Sequence, residues 1–235
     1  MALPTLEVSR YELNVPSTGE KIDYRPYLVK EEKQLMMALE TKDQNQMLKV
    51  LGEIVEVCTF NKLSSQNMTI FDLEYIFVKL RGKSVGDTSE IGMKCSHCEH
   101  ENKIKIDFNA IEVPVDLNDN MLLDISDTIK VKLRYPKMKN MLDIMAGGHN
   151  EVDAIFYTIA GHIETIFMGD DTYHADEYKS QELLEFLESF NSEQFSKIRE
   201  KVNNAPTVRM PLNFTCEECG KENDLVVTGT ENFFA

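Results

Sequence analysis

The chain reads as an α+β protein: an N-terminal hairpin and helices, a β-module split into two distant halves, and a helical insertion between them. Three observations predict this. First, Lys94-Cys95-Ser96-His97-Cys98-Glu99-His100-Glu101-Asn102 and Thr215-Cys216-Glu217-Glu218-Cys219-Gly220-Lys221-Glu222-Asn223 are near-copies. Each reads C-x-x-C-x-x-E-N and leads into an alternating, strand-like run. Second, Cys98 and Cys216 lie 118 positions apart, whereas an ordinary zinc ribbon separates its cysteine pairs by about 15–20 residues. The module is therefore discontinuous and zinc-ribbon-like. Third, apolar residues between the halves recur at helical spacing, as in Met138, Met141, Leu142 and Met145.

The elements follow in order. Tyr11, Leu13 and Val15 alternate, Pro16-Ser17-Thr18-Gly19 supplies a turn, and Ile22 and Tyr24 alternate on the return. Leu35, Met36 and Leu39 begin a helical face, and Met47, Leu48, Leu51, Ile54, Val55 and Cys58 continue one after a polar break. Cys58 thus sits on an apolar stripe without basic neighbours and reads as a core residue, not a reactive thiol. Thr69 and Asp72 offer a cap to a second amphipathic helix through Leu73, Ile76, Phe77 and Leu80, ended near Gly82 to Gly86. Strands are then expected at Ile104 to Phe108, Val113 to Leu117 and Ile129 to Tyr135.

Beyond Pro136 the pattern turns helical. Val152, Ile155, Phe156, Ile159, Ile163, Ile166 and Phe167 share one helical face as far as Gly169. Leu183, Leu184 and Leu187 predict another helix, and Phe195, Ile198 and Val202 a last one. The expected domains are residues 1–87, the cysteine module at 88–136 and 207–235, and a helical insertion at 137–206.

Four thiolates from two facing C-x-x-C hairpins form the corners of a tetrahedron, so Cys95, Cys98, Cys216 and Cys219 are the expected ligands of one structural Zn2+ per chain. Such a site leaves no open position for water or substrate, which sets it apart from a catalytic zinc. His97 and His100 face Glu218 and Lys221 at the matching repeat positions and are not expected to bind metal. Glu101-Asn102 and Glu222-Asn223 are expected to shape the turn leaving each knuckle. A metal here closes a long loop, so its removal is expected to loosen the whole C-terminal half.

Other chemistry is sparse. His162 lies among isoleucines and reads as a satisfied core or boundary histidine. The loop Asp170 to Glu177 gathers four carboxylates and His174, but its spacing lacks the central Gly and closing Glu of an EF-hand, and it reads as a solvated acidic loop. No P-loop, G-x-G-x-x-G, H-E-x-x-H or G-x-S-x-G is present. No catalytic residue is expected.

The net charge of −15 argues against binding a phosphate backbone, which Lys and Arg must neutralise. It fits a protein partner with a basic surface. The opening Met1-Ala2-Leu3-Pro4-Thr5-Leu6-Glu7 lacks the basic and apolar regions of a secretory leader, and no apolar run nears the roughly 18 residues of a membrane span. With cysteines in two C-x-x-C pairs plus Cys58, this suits a reducing cytoplasm.

The segment Phe71-Asp72-Leu73-Glu74-Tyr75-Ile76-Phe77-Val78-Lys79-Leu80-Arg81-Gly82-Lys83-Ser84-Val85-Gly86 carries a family likeness. So do the approach Pro16 to Ile22 with Arg25-Pro26 and Lys30 to Lys33, and the close Cys216 to Gly220 through Gly229-Thr230-Glu231-Asn232-Phe233-Phe234. Together they resemble the baseplate hub subunit family of T4-type contractile-tailed bacteriophages, over nearly the whole chain. The resemblance implies a virus-encoded, non-enzymatic protein made in the host bacterial cytoplasm. It would act with other baseplate hub proteins, as a component of the tail hub or as an assembly chaperone absent from the finished particle. Arg81 and Lys83 are expected to pair with carboxylates, and Phe233 and Phe234 to anchor the C-terminus.

Two rival functions each require a feature of their own. A nucleic-acid-binding zinc ribbon needs a basic patch, yet Glu99, Glu101, Glu217, Glu218 and Glu222 crowd the knuckles. A metal-dependent hydrolase would need His162, His174 and the acidic loop to converge on an open metal.

Overall fold

The computed structural model describes residues 7–228. Phe233 and Phe234 lie outside the described residues. The chain is α+β and divides into two compact units, one of Met1–Val115 and Pro206–Ala235, the other of Asp116–Ala205.

The first unit opens with the expected hairpin, β1 (Tyr11–Asn14) paired with β2 (Lys21–Tyr24). Its turn is closed by the Gly19 amide donating to the Val15 carbonyl at 2.8 Å, with Gly19 at φ +69. That positive φ suits a residue without Cβ. The Ser17 amide donates to Asp72 Oδ1, so the turn docks on the start of a later helix.

Helix α1 (Val29–Thr41) starts where Glu31 reaches back to accept from the Leu28 amide at 2.8 Å. The same buried carboxylate pairs with Arg25 at 2.8 Å. Helix α2 (Gln44–Cys58) is capped by Asp43, which accepts from the Asn45 and Gln46 amides. Cys58 is fully buried at its end, as expected from the apolar stripe, and burial pushes its thiol up to about 11.

Helix α3 (Ile70–Val85) is the hub of this unit. Thr69 caps it by accepting from the Asp72 amide, and Leu73, Ile76, Phe77 and Leu80 are all but inaccessible. At Gly82 an added Cβ would stand 3.2 Å from Phe108 Cβ, so the absent side chain lets the short 3-10 turn Phe108–Ala110 lie close. Lys79 Nζ donates to the carbonyls of Phe108, Asn109 and Ile111, tying that segment to the helix. Lys83 pairs with Asp87 at 2.7 Å as expected, whereas Arg81 lies over the Phe108 ring, 4.7 Å from its centroid. A guanidinium prefers such a face when the neighbouring surface is aromatic.

Two antiparallel hairpins complete the unit. Strand β3 (Thr88–Lys94) pairs with β4 (Glu101–Asp107), and β9 (Arg209–Thr215) with β10 (Glu222–Thr228). Glu112 and Arg209 form an isolated bridge, exchanging amide-to-carbonyl bonds of 3.0 and 2.8 Å. Ile106, Phe108, Ile111, Val208, Met210, Leu212 and Val227 share a core with Val78 of α3.

The second unit departs from the expected all-helical insertion. Its centre is a four-stranded antiparallel sheet in the order β5-β6-β7-β8: β5 (Leu122–Asp124), β6 (Ile129–Leu133), β7 (Ile163–Met168) and β8 (Asp171–His174). Leu122–Asp124 and Ile129–Leu133, expected to belong with the cysteine module, pair instead within this sheet. The stretch Ile163 to Phe167, expected to extend a helix, is a strand. Apolar spacing there fits both periods, and the β-branched Ile163, Thr165 and Ile166 decide for the pleated one. The acidic loop is likewise the edge of a hairpin, with Gly169 at φ +61 in its turn and β8 following. Val113 to Leu117 forms no strand beyond the bridge at Glu112. Pro114 has no amide to donate, and Asp116 turns the chain by accepting from the Asn118 amide.

The unit has four helices, α4 (Met138–Ala146), α5 (Glu151–Gly161), α6 (Ser180–Glu188) and α7 (Ser192–Asn203), and the last three pack residues into the sheet's core. Asn150 and Asn191 cap α5 and α7, and the latter exchanges bonds with Gln194 in a reciprocal box. The core joins Val131, Leu133, Ile159, Ile163, Leu187 and Ile198.

Candidate metal centre

The two C-x-x-C segments fold as superimposable knuckles. In each, the first cysteine's amide donates across the turn, Cys95 to His100 at 2.8 Å and Cys216 to Lys221 at 2.9 Å. Its carbonyl accepts from the residue after the second cysteine, Glu99 at 2.9 Å and Gly220 at 3.0 Å. Those two residues share a left-handed backbone, φ 60 and φ 69. Glycine adopts this freely and glutamate does so at a cost, so the turn geometry is dictated by the knuckle and not by residue preference.

The knuckles bring all four sulfurs within 4.8 Å of one another. Cys95 Sγ lies 3.7 Å from Cys219 Sγ, and Cys98 Sγ lies 3.6 Å from Cys216 Sγ. A tetrahedral ion with Zn–S bonds of about 2.3 Å spaces its sulfurs about 3.8 Å apart, so these two cross-knuckle distances fit such an ion. The leading cysteines, Cys95 and Cys216, are buried, and Cys98 and Cys219 face solvent.

The donor set is electrostatically uneven. Burial disfavours a charged Cys95, but the amides of His97 and Cys98 and the side chain of Asn223 outweigh it and hold the thiol down to about 6. Amides of Cys219 and Glu218 likewise hold Cys216 below its usual range despite burial. At Cys98 the His100 amide favours the thiolate, yet the three surrounding sulfurs, with partial desolvation, win and push it up to about 12. Four thiolates this close repel one another, and a bound dication removes that conflict.

The two asparagines do more than shape the turn. Asn102 Nδ2 donates to its own His100 carbonyl at 3.0 Å and lies 3.7 Å from Cys216 Sγ on the other knuckle. Its Oδ1 accepts from the Glu217 amide at 2.9 Å. Asn223 repeats the pattern in reverse, with Nδ2 on the Lys221 carbonyl at 3.2 Å and 3.5 Å from Cys95 Sγ, and Oδ1 accepting from the Ser96 amide at 2.9 Å. Both side chains are buried. The repeated E-N pair marked these residues in the sequence, but their reach across to the other knuckle depends on how the halves meet.

The remaining candidates stay apart. His97 is exposed, His100 is half-buried, and neither belongs to the sulfur cluster. His162 is buried at the end of α5, its Nδ1 2.8 Å from the Thr158 carbonyl. Burial lowers its pKa against the pull of that carbonyl. Asp176 is held by Arg134 in a two-pronged contact of 2.9 and 2.6 Å. Among the described residues, the four cysteines are the cluster that could hold a metal ion, and His162, His174 and the acidic residues form none. No helix among them is long and apolar enough to cross a membrane.

Comparison with known proteins agrees with the resemblance carried by the Phe71 to Gly86 segment. The baseplate hub assembly protein gp26 of Enterobacteria phage T4 is 23% identical over 225 residues, covering 95% of this chain and 97% of the relative. No solved structure matches. The family model described as T4 bacteriophage base plate protein matches residues 8–235, and the chain belongs to that family.

Proposed function

We propose that this protein is a non-enzymatic factor in building the baseplate hub of a contractile-tailed phage, held together by one structural zinc ion on Cys95, Cys98, Cys216 and Cys219. The observation that carries the reading is the near full-length likeness to a hub assembly protein. The sulfur cluster supports the zinc: four cysteines and no open position suit a structural ion. Its partners are other baseplate hub proteins, met in the host cytoplasm. The net charge of −15 supports docking on basic protein surfaces and not on nucleic acid.

Within this reading the protein is either a hub component or a chaperone that leaves. Quantification by mass spectrometry in purified virions against late infected-cell extract separates the two. A fixed copy number per particle identifies a hub component. Abundance in extract and hub intermediates with absence from particles identifies the chaperone. Absence from hub intermediates and particles alike overturns the reading.

A further inference from the structure

The metal centre is crossed as well as shared. The two hairpins that supply the cysteines are remote in sequence, and each places one buried asparagine against the other's leading cysteine. Asn102 lies beside Cys216 and accepts from the next amide, that of Glu217. Asn223 lies beside Cys95 and accepts from the next amide, that of Ser96. Both amide groups are anchored at home by a bond to the carbonyl two residues earlier. One carboxamide therefore does three things at once: it fixes its own turn, pins the opposite knuckle's backbone, and points an N–H at the opposite thiolate.

The chemistry makes this more than packing. A thiolate next to other thiolates gains from every N–H aimed at it, and a group that donates to a ligand also fixes the direction of the ligand's lone pairs. Cys95 and Cys216 are shielded from water, so a protein donor must do for them what solvent does for the exposed Cys98 and Cys219. The length of the side chain matters: Gln carries the amide too far, and Asp offers the acceptor while replacing the N–H donor with a charge of the wrong sign.

We propose that Asn102 and Asn223 are positioning residues of the metal centre, each holding the other hairpin's leading thiolate, so that metal retention requires both asparagines as well as four cysteines. The proposal rests on the zinc reading above. Its consequence is that neither knuckle is complete alone: the ligand set and the groups that orient it are exchanged between the halves.

The test loads the full-length wild type, Asn102→Asp, Asn223→Asp and Asn102→Ser with zinc or cobalt, and follows release to a chelator. Each aspartate variant is expected to release metal at least about tenfold faster than wild type. Its cobalt-thiolate charge-transfer bands are expected to shift, and Lys103→Ala is expected to change neither. Aspartate variants that release metal at the wild-type rate with an unchanged spectrum overturn the proposal. The shorter Ser keeps a hydroxyl near its own turn, and it too should release metal quickly. Should the variants not fold, the wild type still decides. The Asn102 and Asn223 side-chain NH2 signals must shift on zinc binding and exchange slowly with solvent, and signals unmoved by zinc contradict the proposal. A wild type that takes up no metal at all would instead defeat the zinc reading itself.

Discussion

The two units solve the same problem of burying strands by different means. In the unit of Asp116–Ala205, four strands form one continuous sheet, and helices α5, α6 and α7 contribute Ile159, Leu187 and Ile198 to a single core with it. In the other unit, the strands among the described residues come as three separate two-stranded hairpins. A lone hairpin is marginal in water. The two cysteine hairpins share a modest core with α3 and one bridge at Glu112 and Arg209, and at their tips the contact is polar, through sulfur and carboxamide. The sheet unit is held by apolar area. Under the zinc proposal, the cysteine hairpins gain a cross-link at the end where apolar area runs out.

The comparison is broken most severely by removing metal. Chelation, or Cys98→Ser combined with Cys219→Ser, is expected to abolish hydrogen-exchange protection in β3, β4, β9 and β10 while leaving β5 to β8 protected. Loosening is expected in these hairpins and not throughout the C-terminal half, because residues 116–205 have a core of their own. Equal loss of protection in both units would show that the sheet unit depends on the cross-link.

The converse perturbation is Leu133→Ala. Its side chain is almost wholly buried in the sheet core, and truncating it should cost about 3 kcal/mol by chemical denaturation. Metal content should not change. Loss of metal in this variant would couple the two cores.

A third, smaller effect tests how the first unit is held away from the metal. Glu31 is buried, and burial alone would raise its pKa. The Arg25 side chain and the Leu28 amide reverse this and hold it below the usual carboxylate range. Because the folded value lies below the unfolded one, this stabilisation is complete above the ordinary glutamate pKa and is lost as pH falls through the folded value. Glu31→Gln should lower stability at pH 7 by about 2 kcal/mol, with the difference from wild type shrinking in acid. An undiminished difference at low pH would remove the ion pair from the account.

The sequence revealed the metal candidate more fully than the fold around it. C-x-x-C repeats name ligand atoms directly, so Cys95, Cys98, Cys216 and Cys219 needed no knowledge of topology. The cap at Thr69 was equally legible, since it sits at the start of α3 and accepts from the Asp72 amide. Strand partners were not. Ile163 to Phe167 fits a helical stripe and a pleated strand alike, and the choice is made by pairing with Ile129 to Leu133, some thirty residues away. The roles of Asn102 and Asn223 were hidden for the same reason, since a side chain that acts across a gap of more than a hundred residues leaves only a repeated letter in the sequence.

The most direct test of the central claim is metal content. Native mass spectrometry of the full chain purified without added metal, beside Cys219→Ser, reads it in one experiment. One zinc per wild-type chain, lost or sharply weakened in the variant, is the predicted result. A metal-free wild type with four freely titrating thiols in addition to buried Cys58 would contradict it.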